Sequence, residues 1–315
     1  MKGEIVSAPI IVLVGPTAIG KTALSLFLAK RFGCEIVSVD SMQVYRHMDI
    51  GTAKASKEER MEVPHHLIDI VDPTENYDAA RFAVEALNAI RQIIGRGGIP
   101  LITGGTGLYL RALVNGIFAG VPVNRKIRAE LLHRLSVEGG YKLHKELSSI
   151  DYTSAKRIQM NDTQRVVRAL EIFYTSGVTW SEHLKEQQRQ KPSISFSKLL
   201  QIGLTCDRQH LYNRINLRCQ KMIDDGLEGE VRKLMSMGYS KSLKPFGAIG
   251  YRHMISYLEG ELNFDEMVST LARDTRRYAK RQYTWFSKIE DLLWFETGDQ
   301  SQIAQLVDKW LTSEC

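Results

Sequence analysis

Eight residues near the start of the chain have the composition and order of a phosphate-binding loop. They form a complete GxxxxGKT pattern, Gly15-Pro16-Thr17-Ala18-Ile19-Gly20-Lys21-Thr22. The glycines let consecutive backbone N–H groups face phosphate oxygens, Lys21 reaches the terminal phosphate, and the Thr22 hydroxyl is a ligand for Mg²⁺. The motif predicts binding of a phosphate chain and leaves open whether that chain belongs to a nucleotide.

A carboxylate, Asp40, follows the second short apolar run of the chain and opens the segment Asp40-Ser41-Met42-Gln43. Open α/β sheets bind their ligands at the carboxyl ends of the strands, so Asp40 is expected near the phosphates. There it is either a magnesium ligand or a general base that faces a second substrate. An aspartate that caps a turn is the structural alternative.

Three glycines surround one hydroxyl in Gly104-Gly105-Thr106-Gly107, after a further apolar run. Such a segment allows the backbone to approach a ligand closely, and the Thr106 hydroxyl is able to donate to a phosphate oxygen. A glycine turn that simply ends a strand is the competing interpretation.

Short apolar runs that alternate with helical periodicity place these motifs in an α/β fold with a parallel sheet. Strands are predicted over residues 10–14, 36–39, 67–70, 99–103 and 199–205. Helices are predicted over 23–32, 79–94, 208–223 and 227–237. The phosphate loop lies between the first strand and the first helix, which is the context that its chemistry requires.

The pattern changes over residues 121–198, where strand-like runs disappear and charged, helix-forming segments replace them. We interpret 121–198 as a mostly helical insertion domain, with residues 1–120 and 199–315 forming the α/β core. The polar stretch 181–197 contains Pro192 and is predicted to be a mobile connection.

Composition and charge restrict the function further. The chain of 315 residues is 43% hydrophobic and has a net charge of +6, which suits a globular enzyme with a polyanionic partner. Its four cysteines are scattered and predict neither disulfides nor zinc. No apolar run reaches membrane-spanning length, so we expect a cytoplasmic protein without a membrane partner.

Five cations recur at three- and four-residue steps near the C-terminus, which places them on one stripe of a predicted helix. They are Arg273, Arg276, Arg277, Lys280 and Arg281, with Asp274 as the acid among them. Such a stripe suits a nucleic-acid backbone and predicts salt-sensitive binding, whereas a solvated helix face is the simpler alternative.

Several segments together closely resemble the tRNA dimethylallyltransferase family. They are GPTAIGKT, residues 40–54, PHHLIDIVDP, GGTGLYLRAL, NDTQRVVRALE, GLEGEV, AIGY and RRYAKRQYTWF, and they occur in family order along nearly the whole chain. The resemblance implies a P-loop NTPase-like parallel sheet flanked by helices. It also implies a bacterial-type enzyme that transfers a dimethylallyl group from dimethylallyl diphosphate to the adenine 3′-adjacent to the anticodon.

The resemblance also implies roles for individual residues. The loop through Thr22 holds the diphosphate, with Mg²⁺ on Thr22, although loops of this kind are commonly labelled ATP sites. Asp40 is the general base for the exocyclic amine, and Thr106 and Lys21 stabilise the leaving group. An arginine is expected to help them, with Arg218 and Arg214, four residues apart, as the candidates.

For tRNA, the resemblance points to residues on both sides of the predicted insertion. They are Asp40, Ser41, Met42, Gln43, Thr106, Arg128, Gln164, Arg165, Arg168, Gly250, Tyr251, Arg252, Lys280, Arg281 and Gln282. The insertion is expected to clasp the anticodon arm, and the target base must leave its stack to reach the diphosphate. Gly247 and Ser287 depart from the commonest family pattern, which bears on individual tRNA contacts and not on the reaction.

Three other functions fit parts of the sequence. A P-loop small-molecule kinase would use the same loop for ATP, but no arginine-rich lid motif is evident. A non-catalytic RNA-binding protein could keep the loop as a relic, and an isopentenyltransferase that uses free AMP shares the same loop chemistry. The leading hypothesis is a monomeric tRNA dimethylallyltransferase.

Overall fold

The computed structural model describes residues 4–116, 121–189 and 194–313. They divide into an α/β unit, residues 4–115 and 194–313, and a helical unit, residues 116 and 121–189. The α/β unit resumes at Ile194 and not at 199, because residues 194–196 form a strand that pairs with the first strand of the chain.

The described residues of the α/β unit form eight strands in two parallel sheets. The strands are β1 (Glu4–Val6), β2 (Ile10–Val14), β3 (Cys34–Val39), β4 (His65–His66), β5 (Ile99–Gly104), β6 (Ile194–Phe196), β7 (Leu199–Thr205) and β8 (Leu293–Glu296). The main sheet has the order β4-β3-β5-β2-β7-β8, and β1 pairs with β6 in the second. Every residue of β2 is buried, as expected for a central parallel strand covered on both faces.

Helices of the α/β unit cover this sheet. They are α1 (Lys21–Phe32), α2 (Lys57–Glu62), α3 (Ala79–Gly95) and α4 (Gly107–Asn115) before the helical unit, and α10 (Arg208–Asp224), α11 (Leu227–Ser236), α12 (Tyr251–Leu258), α13 (Phe264–Phe286) and α14 (Gln300–Thr312) after it. A 3₁₀ turn spans Lys244–Gly247. Among the described residues, no helix has both the length and the apolar character needed to cross a membrane.

The helical unit has its own apolar core. Its helices are α5 (Arg125–Glu138), α6 (Gly140–Ile150), α7 (Tyr152–Arg157), α8 (Thr163–Ser176) and α9 (Trp180–Arg189). Leu143, Leu147, Val166 and Leu170 are completely buried there. Apolar residues at helical spacing therefore produce a compact core within this part of the chain.

Two local predictions are wrong. The predicted strand over 67–70 is replaced by the two-residue β4, because Leu67 and Asp69 have positive φ angles of 63° and 58° that interrupt an extended chain. Within the predicted connection over 181–197, residues 181–189 belong to α9 and 194–196 form β6, whereas Pro192 lies outside the described residues. Helix α9 starts there because Thr179 and Glu182 accept each other's backbone N–H groups as a capping box.

Candidate active site

Two adjoining cavities open at the carboxyl ends of the central strands in the α/β unit. The larger has a volume of about 980 Å³ and is lined by the phosphate-binding loop and Asp40. The smaller, of about 300 Å³, is bordered by apolar residues that include Met222, Ile249 and Leu271. Six residues line both cavities and so mark where they meet, namely Thr17, Asp40, Thr52, Arg218, Met222 and Tyr278.

Lys21 folds back over its own loop at the start of α1. Its Nζ donates to the carbonyl oxygens of Gly15 (2.9 Å) and Pro16 (2.8 Å). Burial and then repulsion from Arg218 lower the pKa of the Lys21 ammonium to about 7, against the opposing attraction of Asp40. The lysine is thus held next to the cavity that a phosphate chain would occupy.

Both candidate arginines contact the phosphate-binding loop from α10. The Arg218 Nη1 donates to Thr17 Oγ1 at 2.7 Å, and the Arg214 Nε donates to the Ala18 carbonyl at 2.7 Å. Burial holds the pKa of Arg218 below its usual value, although the attraction of Asp40 partly opposes this effect. Because Arg218 lines both cavities and Arg214 only the larger, Arg218 is the one placed where the two cavities meet.

Strand pairing brings Asp40 and Thr106 to the same edge of the sheet. The backbone N–H groups of Gly105 and Thr106 donate to the Val39 carbonyl (3.2 and 3.1 Å), and Thr106 Oγ1 accepts from Ser41 N–H at 3.1 Å. A Cβ at Gly104 would lie 2.2 Å from that carbonyl oxygen, so only glycine fits there. The close approach predicted for the glycine segment is thus made to the neighbouring strand.

Asp40 is both a turn aspartate and a cavity residue. Its Oδ1 accepts from the N–H groups of Met42 (2.8 Å) and Gln43 (3.2 Å). Within the described residues, no hydrogen bond is recorded to its Oδ2. One carboxylate oxygen therefore fixes the loop, and the other is left to act on a ligand.

Tyr278 on α13 is a site residue that the sequence reasoning missed. Its side chain lines both cavities, and its hydroxyl is within reach of Thr106 and Gln282. Burial and the nearby Asp40 raise the pKa of this phenol to about 12, so it is neutral at pH 7. The sequence feature that could have identified Tyr278 is its position within the cationic stripe, one helical turn before Gln282.

Gln282, predicted to contact tRNA, instead ties the phosphate-binding loop to the next glycine segment. Its Oε1 accepts from Thr17 N–H at 2.8 Å, and its Nε2 donates to the Gly105 carbonyl at 2.9 Å. The side chain is only 4% exposed. Its amide is therefore fully used within the protein.

We expect Gln282→Leu to lower the free energy of unfolding by about 1–3 kcal/mol, because two buried backbone groups lose their partners. Urea unfolding followed by circular dichroism measures this loss. Gln220→Leu is the matched control, since Gln220 is exposed on α10 and donates only to Asp224. Equal unfolding free energies for the two variants would contradict the bridging role.

The predicted tRNA contacts near residue 250 divide into buried and exposed groups. Tyr251 has no exposed surface and Gly250 is buried, so the Tyr251 side chain is closed to a macromolecular partner. Arg252 is exposed and pairs with Asp274 at 2.6 Å. A further predicted tRNA contact, Gln43, lies elsewhere in the chain. Its amide oxygen accepts from the Ser38 hydroxyl, and its amide nitrogen donates to the Thr52 and Ala53 carbonyls.

The cationic stripe on α13 is partly neutralised by Asp274. Burial raises the pKa of this carboxyl, but hydrogen bonds from Arg252, Arg273 and His253 outweigh burial and hold the pKa at about 2. Arg277 also lies 3.7 Å from Asp274. Arg276 donates to Asn216, Arg281 stacks on Tyr278, and neither they nor Lys280 pair with a carboxylate in the described part of the chain.

The predicted residues of the helical unit surround one buried acid. Glu171 is completely buried and pairs with Arg128 (3.1 Å) and Arg168 (3.0 Å). Arg165 pairs with Asp162, and Gln164 is exposed. The structure thus pairs the partly exposed Arg128 and Arg168 with a buried acid and leaves Gln164 and Arg165 at the surface.

The residues around Thr22 fit a magnesium ion that is held chiefly by a substrate. In the described chain, no three His, Cys, Asp or Glu side chains converge as a metal site. Thr22 and Asp40 line the larger cavity, as does Thr103, whose buried Oγ1 has no hydrogen-bond partner. Mg²⁺ commonly keeps several waters and uses few protein ligands beside phosphates, which matches this donor set.

Comparison with known proteins gives one consistent family. The family model described as IPP transferase (IPPT) matches residues 43–289. The tRNA dimethylallyltransferase of Desulfotalea psychrophila is 55% identical over 99% of this chain and 98% of its own length. A second, from Syntrophus aciditrophicus, is 44% identical over the full length of both.

Solved structures agree. A full-length tRNA isopentenylpyrophosphate transferase from Bacillus halodurans has 39% identity and a TM-score of 0.69, covering 98% of this chain and 97% of that one. A eukaryotic dimethylallyltransferase, solved while acting on tRNA, has 32% identity and a TM-score of 0.77 over 94% of this chain and 75% of its own. The parallel sheet flanked by helices is therefore confirmed.

Proposed function

Because the chain belongs to the IPP transferase family, we propose that its paired cavities transfer a dimethylallyl group from dimethylallyl diphosphate to an adenine of tRNA. The acceptor is the exocyclic amine of the adenine 3′-adjacent to the anticodon, and the product is isopentenyladenosine. The observation that carries this proposal is that Asp40, Arg218 and Tyr278 line both the phosphate-loop cavity and its apolar-bordered neighbour.

The proposed reaction uses the groups at the junction of the two cavities. The adenine nitrogen bonds to the first carbon of the dimethylallyl group, the carbon–oxygen bond to the diphosphate breaks, and the amine proton passes to Asp40. We assign stabilisation of the growing negative charge on the diphosphate to Lys21 and Arg218, which line the larger cavity, and to the hydroxyl of Thr106, which follows the cavity residue Gly105. The loop from Thr17 to Thr22 holds that diphosphate through its main chain and helix N-terminus.

We assign Mg²⁺ to Thr22, with Thr103 and Asp40 near enough to the same cavity to hold its waters. When bound, the ion would neutralise phosphate charge. Because tRNA is the acceptor of the family's reaction, we place this activity in the cytoplasm, with a monomer as the acting species.

We propose that exposed polar side chains, most of them cationic, contact the RNA. Arg165 and Gln164 of the helical unit, and Arg252, Lys280 and Arg281 of the α/β unit, are accessible to an anticodon arm. Ser41 and Met42 follow Asp40, and Met42 lines the smaller cavity that we assign to the flipped adenine. The contact predicted for Tyr251 is left out because its side chain is completely buried, and that for Gln282 because its amide bonds to Thr17 and Gly105.

The test is to mix purified protein, Mg²⁺ and labelled dimethylallyl diphosphate with unmodified tRNA in one reaction and with AMP in another. We expect label in the tRNA and none in AMP. Label in AMP alone would identify the AMP-using class of transferase. ATP consumption that depends on a small acceptor, without prenyl transfer, would identify a kinase.

The pKa of Lys21 predicts that binding of a diphosphate to the phosphate-binding loop depends on pH. Its pKa of about 7 in the free protein must rise when a diphosphate stabilises the ammonium. Binding of inorganic pyrophosphate above pH 7 should therefore take up a proton, and the Lys21 contribution to affinity should fall about tenfold per pH unit. Below pH 7 the lysine is already charged, so its contribution stays constant.

Titration calorimetry at pH 8, in two buffers of different ionisation enthalpy, measures this proton uptake. Lys21→Met is the control, because pyrophosphate titrates by itself and only the difference between the proteins reports the lysine. An identical buffer dependence in both proteins would contradict the assignment.

A further inference from the structure

One carboxylate outside both cavities holds a loop that lines them. Glu230 on α11 accepts from three consecutive backbone N–H groups, those of Asp49 (2.9 Å), Ile50 (2.8 Å) and Gly51 (3.1 Å). The Tyr251 hydroxyl donates a fourth hydrogen bond to Glu230 at 2.6 Å. Hydrogen bonds to an ionised acceptor are stronger than neutral ones, so this cluster fixes the loop firmly.

The loop held in this way forms part of the walls of both cavities. Asp49, Ile50, Thr52 and Ala53 line the larger cavity, and Gly51 and Thr52 line the smaller. The Gln43 amide donates to two carbonyls of the same loop, those of Thr52 and Ala53, each at 3.3 Å. Thr52 lies where the cavities meet, and its position depends on the hydrogen bonds that Glu230 and Gln43 make to this loop.

The aromatic ring of Tyr251 packs against this loop. A Cβ at Gly51 would lie 2.5 Å from the Tyr251 ring, so the backbone of the loop rests directly against that ring. The ring is completely buried. The loop is therefore placed by α11 and α12, and it has little freedom to move toward either helix.

We propose that Glu230 is a positioning residue for dimethylallyl transfer. It lines neither cavity, so it acts by fixing residues 49–53 and, through them, the wall against which the acceptor base lies. The inference rests on the proposed function. It predicts that the loss of Glu230 affects the use of tRNA more than the grip on the diphosphate, which is held by a different loop.

The test compares Glu230→Gln with Glu228→Gln. Glu228 lies on the same helix and pairs at the surface with Arg232. We expect Glu230→Gln to lower kcat/KM for tRNA by about 10- to 100-fold, because small misplacement of reacting groups is costly. Its Kd for pyrophosphate should stay within about twofold of the control, since the main-chain groups of residues 15–22 that hold the diphosphate make no contact with Glu230.

Tyr251→Phe is the second variant, because it removes one donor to Glu230 and keeps the ring against Gly51. It should lower kcat/KM for tRNA in the same direction and by less, with the same pyrophosphate Kd. Equal kcat/KM for Glu230→Gln and Glu228→Gln would overturn the inference. So would a parallel loss of pyrophosphate binding and melting temperature, which would indicate a purely structural role. Failure of the unmodified protein to prenylate tRNA would instead overturn the proposed function.

Discussion

Asp40→Ala and Asp40→Asn should each lower the turnover of dimethylallyl transfer by about 10²-fold or more, with tRNA affinity little changed. An adenine amine is a poor nucleophile because its lone pair is drawn into the ring, so a base must accept its proton as the new bond forms. The asparagine keeps an oxygen for the N–H groups of Met42 and Gln43 and removes only the base. Single-turnover rates, measured beside the Kd for tRNA, test this expectation.

Asp224→Asn is the control for charge and solubility, because Asp224 is exposed on α10 and accepts only from Gln220. If Asp40→Asn turned over as fast as this control, Asp40 would be a turn residue and nothing more. The amine proton would then pass to another acceptor, whereas RNA binding without any turnover in the unmodified protein would favour an RNA-binding protein with a relic loop.

Thr106→Ala should lower kcat by about 10- to 10³-fold through lost stabilisation of the leaving diphosphate. The Thr106 oxygen accepts from Ser41 N–H, so its hydroxyl hydrogen points elsewhere, and we expect it to donate to the substrate in place of Tyr278. Thr106→Ser should restore most of the rate because it restores that donor. Steady-state kinetics with varied dimethylallyl diphosphate separates the effect on kcat from the effect on KM.

Thr106→Val keeps the shape of the side chain and removes the hydroxyl. We expect this variant to be as slow as Thr106→Ala. A rate close to that of the unmodified protein would assign Thr106 to packing and would leave Lys21 and Arg218 as the groups that stabilise the leaving charge.

The phosphate-binding loop and the strands beside it were predictable because their signals are local. Residues 10–14 form a continuous apolar run that is β-branched except at Leu13, and the motif that follows has fixed spacing, so the strand, loop and helix could be placed without distant contacts. The prediction over 199–205 matches β7 for the same reason. The strand predicted over 67–70 failed because the positive φ angles of Leu67 and Asp69 have no local sequence signature.

The connections that complete the site join residues far apart in the chain. Gln282 meets Thr17 across 265 positions, and Glu230 meets the loop at residue 50 across 180. The packing of α10 and α13 against the sheet, and of α11 on α10 and α12, determines these meetings. The resemblance identified Gln282 and Tyr251 as positions that matter for function, but it could not show that both side chains are internal.

The main chain sets the spacing between Asp40, the proposed proton acceptor, and Thr106, the proposed donor to the leaving group. Asp40 directly follows β3 and Thr106 closely follows β5, and those strands pair from Cys34 with Ile99 to Val39 with Gly104. Most side chains along both strands can therefore be replaced by others of similar shape without altering this spacing. Position 104 is the exception, because any side chain there would push the two strands apart and separate the reacting groups.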